Sequence, residues 1–584
     1  MIPLNNWTTW AIWMVVSSSS MTVKCSGSTH TAAHCPKRAT YGLSDSAQTF
    51  IDCVTATNGG VCEEVSLTSV KDKVSEPLLP ALTPSLFSNV PPYINFIMPG
   101  QRKEPLPDNI SRRLLWYDGG SPLVAATAIR SGYSLTKDFA MAVGYYVGCF
   151  QPSEVYKFQN FRPSQKYNHF PGSWSIGCKD RLELAVRKMK KAHGRKKFDF
   201  LPPTFILPEE TNLLKKAWNS NPNGNLWILK PPCFHGGRGI EVIRRQEQIP
   251  ANARLMVQRY ISNPYLIDGH KFDMRIYVYV PSINPLRVYL YPDGVVKFAT
   301  KKFTTDDLDS MVHLTNIEVN AKNPAYTLDY SLKTGHKWSL NVLKEYLRTN
   351  NGTDWMPIWE NIKDIVLKTI ISGEPEIWEG VRKYLQSKYS GHELFGFDIL
   401  LDNNMKPWVL EVNKSPGLYP HSGHFRPVND PMAKDMLNLA GFRIPGNEET
   451  DHGNEITSGS DVPDHLLLDK RWWSQTLSGE EKAKQKYYCD NYKNETILST
   501  ILDNLTPNDI RILVDTIDEN SRRGGFDRIF PRVDTDKYFR FFQKPRYCNI
   551  LIHQWLKRFH KNETEGISLV EAHCKELKHL TDQN

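Results

Sequence analysis

"ELFGFDILLDNNMKPWVLEVNKSPG" spans residues 393–417, and its reading decides the fold. Two apolar runs, roughly 395–401 and 407–413, flank the turn-forming "DNNMKP", the pattern of a β-hairpin with a four-residue loop. Setting Asp402 opposite Pro407 places Asp398 opposite Glu411 and Gly396 opposite Asn413. Directly opposed residues share a face of a sheet, as do alternate residues of one strand, so Asp398, Glu411 and Asn413 converge. Opposed carboxylates repel unless a cation lies between them, and three hard oxygen donors suit Mg2+. The competing reading, a solvent-facing acidic hairpin, fits poorly with the apolar flanks.

Mg2+ held by so few side chains ordinarily serves a nucleotide, which calls for a phosphate cradle elsewhere. The P-loop pattern G-x-x-x-x-G-K-[ST] does not occur. Instead, Lys230 lies in strand-like "LWILKPP" (226–232), and "PPCFHGGRGIEVI" follows. Gly236, Gly237 and Gly239 would let backbone N–H groups approach phosphate oxygens. In "HKFDMRIYVYV" (270–280), Phe272, Met274, Ile276, Val278 and Val280 form an apolar face, while Lys271, Asp273, Arg275 and Tyr277 line the other. Arg275 can grip a carboxylate or phosphate through two bonds, so this strand reads as the wall of an anionic-substrate site.

At 584 residues the chain exceeds what one core organises, and two to four structural units are expected. Residues 1–80, rich in Ser, Thr and Ala, read as a disordered tail. Within them "WTTWAIWMVV" is too short for a bilayer span and lacks the basic flank of a signal peptide. The ten cysteines form no C-x-x-C pair, which points to reduced thiols in a cytosolic protein. In "CSGSTHTAAHC", adjacent His34 and Cys35 suit a tetrahedral zinc site poorly.

Apolar spacing predicts a helix from Arg181 to Gly194, and further helices through Leu340, Leu343 and Leu347 and through Ile358, Ile362, Ile365 and Val366. "LTPNDIRILVDTI" predicts another, with Thr506 as N-cap and Asp509 closing a capping-box-like pattern. The formal net charge of +9 is unevenly spread: residues 520–561 hold eleven Lys and Arg against three Asp. Such a patch attracts polyanions, but no nucleic-acid module accompanies it.

These motifs, with "NHFPGSWSIGCKDRL", "VQRY", "HLTN", "GHKW" and "RRGGFDRIFPRVDTDKYFRFFQKPRYCNILIHQW", resemble the tubulin tyrosine ligase-like family over roughly residues 85–560, most closely its fourth-member type of polyglutamylase. The resemblance implies an α/β (α+β) ATP-grasp fold. It divides the chain into a tail (1–80), a catalytic domain (81–445, with subdomains 81–165, 166–265 and 266–445), a linker (446–490) and a basic helical extension (491–584) that could bind microtubules. It also implies ATP-dependent joining of free glutamate to glutamate side chains of tubulin tails or of other acidic proteins, in the cytoplasm on microtubules or at the cilium, by a monomer acting without membrane or nucleic acid. Same-fold glycine ligase and microtubule-binding pseudoenzyme are the alternatives.

By resemblance, Lys230, Gly236, Gly237, Gly239, Gln258, Arg259, Tyr260, Ile261, Lys271, Phe272, Asp273, Thr315 and Asn316 bind ATP. Asp398, Glu411 and Asn413 hold Mg2+, Arg275 and Lys297 act in catalysis, and Lys297, Glu318 and Lys337 face the glutamate substrate. Three positions depart from the family pattern. Gly236 and Lys297 stand where arginine is expected, and Glu318 stands where serine is usual.

Overall fold

The computed structural model describes residues 77–580, apart from 149–151, 221–225, 233, 235, 252, 328–334, 419–425, 448–461 and 474–475. The expectations for the N-terminal tail and its Cys/His cluster fall outside these residues.

The architecture is mixed α/β. Helix α1 (Lys179–His193) ends at Gly194, whose φ of 97° stops the helix where the sequence predicts. A four-stranded antiparallel sheet follows, built from β1 (Thr204–Ile206), β2 (Trp227–Lys230), β3 (Glu241–Ile243) and β4 (Met256–Arg259) in the order β1-β4-β2-β3.

The second sheet is seven-stranded and antiparallel throughout. It comprises β5 (Leu266–Ile267), β6 (His270–Ile283), β7 (Leu286–Phe298), β8 (Lys337–Ser339), β9 (Glu393–Leu401), β10 (Pro407–Asn413) and β11 (Asp527–Phe530). The main path runs β8-β7-β6-β9-β10, with β5 beside β6 and β11 beside β7. One face carries Phe272, Met274, Ile276, Val278 and Val280 into the largest core, as their alternation requires. Helices α2 (Leu340–Asn351) and α3 (Trp355–Tyr384) cover it, contributing Leu340, Leu343, Leu347, Ile358, Ile362, Ile365 and Val366. Helix α4 (Arg426–Ala440) packs on the opposite face through Met432 and Met436.

Two boundaries differ from the sequence reading. Within the expected linker, Gly479–Asp490 is a helix, started by a capping box between Ser478 and Glu481. The expected helical extension is partly strand and is built into the catalytic fold: β11 pairs with β7, Tyr538 and Phe541 enter the main core, and Arg546 grips buried Glu374 at 2.7 and 3.2 Å. Helix α5 (Pro507–Ser521) does carry the predicted Thr506–Asp509 capping box. Among the described residues no helix is long and apolar enough to cross a membrane.

Candidate active site

The hairpin reaches the predicted pairing by an unpredicted route. Leu401, not Asp402, stands opposite Pro407, while Leu400 faces Trp408 and Ile399 faces Val409. Continued unchanged, that register would set Asp398 against Leu410 and turn Glu411 to the other face. A β-bulge between Ile399 and Asp398 absorbs Leu410 and restores Asp398 opposite Glu411 and Gly396 opposite Asn413. Asp402 is drawn into the turn instead, its Oδ1 accepting the N–H groups of Asn404 and Lys406 at 2.9 and 3.0 Å.

Neighbouring strands bring cations to this pair. Strand β6 sets Arg275 beside Asp398, Nε to Oδ1 at 2.5 Å and Nη2 to Oδ2 at 3.0 Å. Lys297 of β7 lies opposite Asp273 and bridges the acids, 3.0 Å from Asp273 and 3.1 Å from Asp398. Burial alone would raise the Asp398 carboxyl, but Arg275 and Lys297 outweigh it and hold the group well below the usual carboxylate range. Burial wins at Asp273, whose carboxyl is raised despite Lys297. Lys337, opposite Lys297 on β8, is pushed down to about 8 by burial and by the charges of Lys297 and Arg275.

Glu411 and Asn413 touch at 3.3 Å, and Lys179 of α1 meets Glu411 at 3.1 Å. Two carboxylates and an amide cannot form a closed protein cage. Among the described residues, moreover, no group of three or more His, Cys, Asp or Glu could hold a metal ion. The set fits a hard cation that takes its remaining ligands from a substrate, the habit of Mg2+.

A cleft of about 670 Å³, counting its open mouth, runs between the two sheets from this hairpin to β2 and β4. Lys230, Gln258, Arg259, Tyr260, Ile261, Lys271, Asp273, Thr315 and Asn316 line it, together with Asp398 and Glu411. Lys230 donates to Gln258 at 2.8 Å, and Lys271 to the Tyr260 hydroxyl at 2.9 Å and the His313 carbonyl at 2.8 Å. Burial pushes the Lys230 amine down to about 8, against the pull of Glu411, and the Lys271 amine down to about 7, against Asp273. Pro202, Ile228, Ile240, Leu400 and Leu410 add the apolar walls that a planar base needs. Sequence reasoning missed these walls, which come from separated segments, and missed Lys179, which sits in the quoted "GCKDRL" without any local sign of its partner.

Two assignments need correction. Phe272 lies on the core face of β6, where strict alternation points it away from Lys271 and Asp273 and so away from the cleft. Glu318 does not join Lys297 and Lys337; it faces the glycine loop, 3.6 Å from Arg238. Gly236, Gly237 and Gly239 all have positive φ (68°, 78° and 68°). A Cβ at Gly236 would lie 2.2 Å from a Glu318 carboxylate oxygen, and one at Gly237 would lie 3.0 Å from Asn316 Oδ1. Gly236 and Glu318 are therefore neighbours: the carboxylate end of Glu318 occupies space that a side chain at 236 would take. Gly236→Ala should cost about 1–2 kcal/mol from backbone conformation alone, plus a clash that Glu318→Ala removes. Thermal denaturation of both single variants and the double should show less-than-additive destabilisation; strict additivity would refute the coupling.

The family model described as the tubulin-tyrosine ligase family matches residues 158–452, the segment that carries the four-stranded sheet and all of the seven-stranded sheet except β11. The chain belongs to the tubulin-tyrosine ligase family. It is 42% identical over 531 residues to the tubulin monoglutamylase TTLL4 of Homo sapiens, covering 89% of this chain and 44% of that relative. It is 34% identical over 511 residues to the tubulin polyglutamylase ttll-4 of Caenorhabditis briggsae, covering 86% and 82%. The mouse tubulin polyglutamylase TTLL5 matches at 34% over 383 residues, 64% of this chain and 28% of that one. The chain thus spans less than half of the human family member.

Proposed function

We propose that this family member is an ATP-dependent carboxylate–amine ligase of the ATP-grasp type, joining free glutamate to glutamate side chains in the acidic C-terminal tails of tubulin. The observation that carries the reading is the cleft itself. Two buried lysines, Lys230 and Lys271, line one end, and the bulge-aligned Asp398–Glu411 pair the other, between two sheets that could clasp a nucleotide. Asp398, Glu411 and Asn413 would hold Mg2+, which when bound neutralises triphosphate charge.

Phosphoryl transfer depends mainly on position and charge neutralisation, and the chain supplies both. Lys230, Lys271 and the glycine loop hold phosphates, while Arg275, Lys297 and Lys337 form a cationic wall for the carboxylates of the amino acid. An acceptor carboxylate oxygen attacks the γ-phosphorus and ADP departs, leaving an acyl phosphate. The amine of free glutamate then attacks the acyl carbon, loses a proton and expels phosphate, so that an isopeptide bond forms.

The decisive experiment incubates the protein with microtubules, ATP, Mg2+ and each radiolabelled amino acid in turn. Glutamate incorporation is expected. Glycine-only incorporation, or microtubule binding without incorporation, would overturn the reading. The relatives' names divide between mono- and polyglutamylase, so mass spectrometry of the modified tails decides how many residues are added. The reading places the protein in the cytoplasm on microtubules.

Lys271 gives a pH signature. With its amine near 7, polyanion binding should draw a proton onto it, so nucleotide affinity weakens as pH rises above about 7, by up to tenfold per unit. Titration calorimetry in two buffers of different ionisation enthalpy should report proton uptake, and a flat affinity from pH 6.5 to 8.5 would contradict the assignment.

A further inference from the structure

A second cavity, about 840 Å³ with its mouth, lies where the turn between β6 and β7, the end of α4 and helix α5 meet. It is unlike the ATP cleft in composition. Lys166, Arg287 and Arg443 form its buried floor, and Lys388, Arg511 and Arg522 its more accessible wall. Against these six basic side chains stand two acids, Asp515 and Glu519, both already engaged. Arg287 holds Glu519 at 2.7 and 2.9 Å, and Arg443 lies 3.6 Å from Asp515. No ion pair joins Lys166, Lys388, Arg511 or Arg522 to an acid among the described residues.

Like charges gathered in an enclosed space repel, and the arrangement is costly unless something offsets it. Two donors in the cavity wall have no acceptor: Arg522 Nη1, and the Nδ2 of Asn508, a residue only 4% exposed. Burial also holds the Lys166 amine well below its usual value, so an anion beside it is the group that would restore its charge. Excess donors and excess positive charge call for a ligand made of acceptors and negative charge. A phosphoryl group brings nearly two charges and several acceptor oxygens, where a carboxylate brings one charge and two oxygens. Three cations without an acid partner, Lys388, Arg511 and Arg522, and a fourth amine that an anion would charge, Lys166, therefore match a compact polyphosphate better than an acidic peptide.

We propose that this cavity is a binding site for a small, multiply phosphorylated anion, separate from the ATP cleft. Its walls come from the catalytic sheet and from the helices after residue 500, so the ligand would tie these regions together. The proposal does not depend on the ligase reading.

Inorganic tripolyphosphate is the probe, titrated calorimetrically into the full chain with the ATP cleft saturated by a non-hydrolysable ATP analogue. One site should remain, and its affinity should fall at least tenfold in Lys388→Gln/Arg511→Gln, whose circular dichroism and analogue affinity should be unchanged. A raised melting temperature on adding tripolyphosphate should accompany binding and be lost in that variant. Absence of binding once the analogue is present, or equal binding by the double variant, would overturn the proposal. Displacement of tripolyphosphate by equimolar oligoglutamate would overturn the phosphate assignment. Should the double variant misfold, Arg522→Gln provides the same comparison.

Discussion

Replacing Glu411 by Gln is expected to lower ATP-dependent glutamate incorporation about a thousandfold, equivalent to about 4 kcal/mol of barrier. The amide keeps the shape of the side chain but loses the charge that faces Asp398 across the bulge and that Lys179 engages at 3.1 Å. Since Glu411 is partly exposed, the fold should survive, with a denaturation midpoint close to that of the parent. The effect should fall on turnover, because a carboxylate in the proposed metal-holding role would act where charge develops during phosphoryl transfer. Single-turnover measurement with labelled ATP separates this from weaker nucleotide binding. A variant that retains more than about a tenth of the parent rate would remove Glu411 from the chemistry and take the ligase reading with it.

Asp398→Asn should be damaging in a different way, through stability as well as rate. Its carboxylate is buried and shared between Arg275 and Lys297. Lys297 keeps Asp273 at 3.0 Å when the charge is removed, whereas Arg275 loses its ion-pair partner. Leaving this partly buried cation without its partner costs up to about 3–5 kcal/mol, visible as a fall in the urea midpoint without a change in slope. Adding Arg275→Met in that background should recover much of the stability, since an apolar side chain needs no counter-charge, while activity stays lost. If the Asn variant were as stable as the parent, the cation cluster would not be held as described.

The positive stretch at 520–561 shows why local charge is a poor guide to surface. Arg546 is spent on Glu374, Lys557 and Arg558 pair with Glu495 and Asp503, and Arg522 turns into the second cavity. A run of like charges in the sequence says nothing about acids that the fold will bring from elsewhere. The same blindness hid Lys179, and it made Gly236 and Glu318 look like two separate departures when they share one space.

The sequence by itself determined which side chains share a face, because alternation along a strand is a local property of the backbone: Lys271, Asp273 and Arg275 on one side, Phe272 and Met274 on the other. It also determined the helix stop at Gly194 and the helix start at Thr506, since caps and glycines act within a turn or two. Only the tertiary structure decided that Asp398 meets Glu411, because the turn sets a register one residue off and the bulge at Leu410 corrects it. Bulges, clefts and buried cation clusters arise when distant segments compete for the same volume, and that competition has no counterpart in any short stretch of chain.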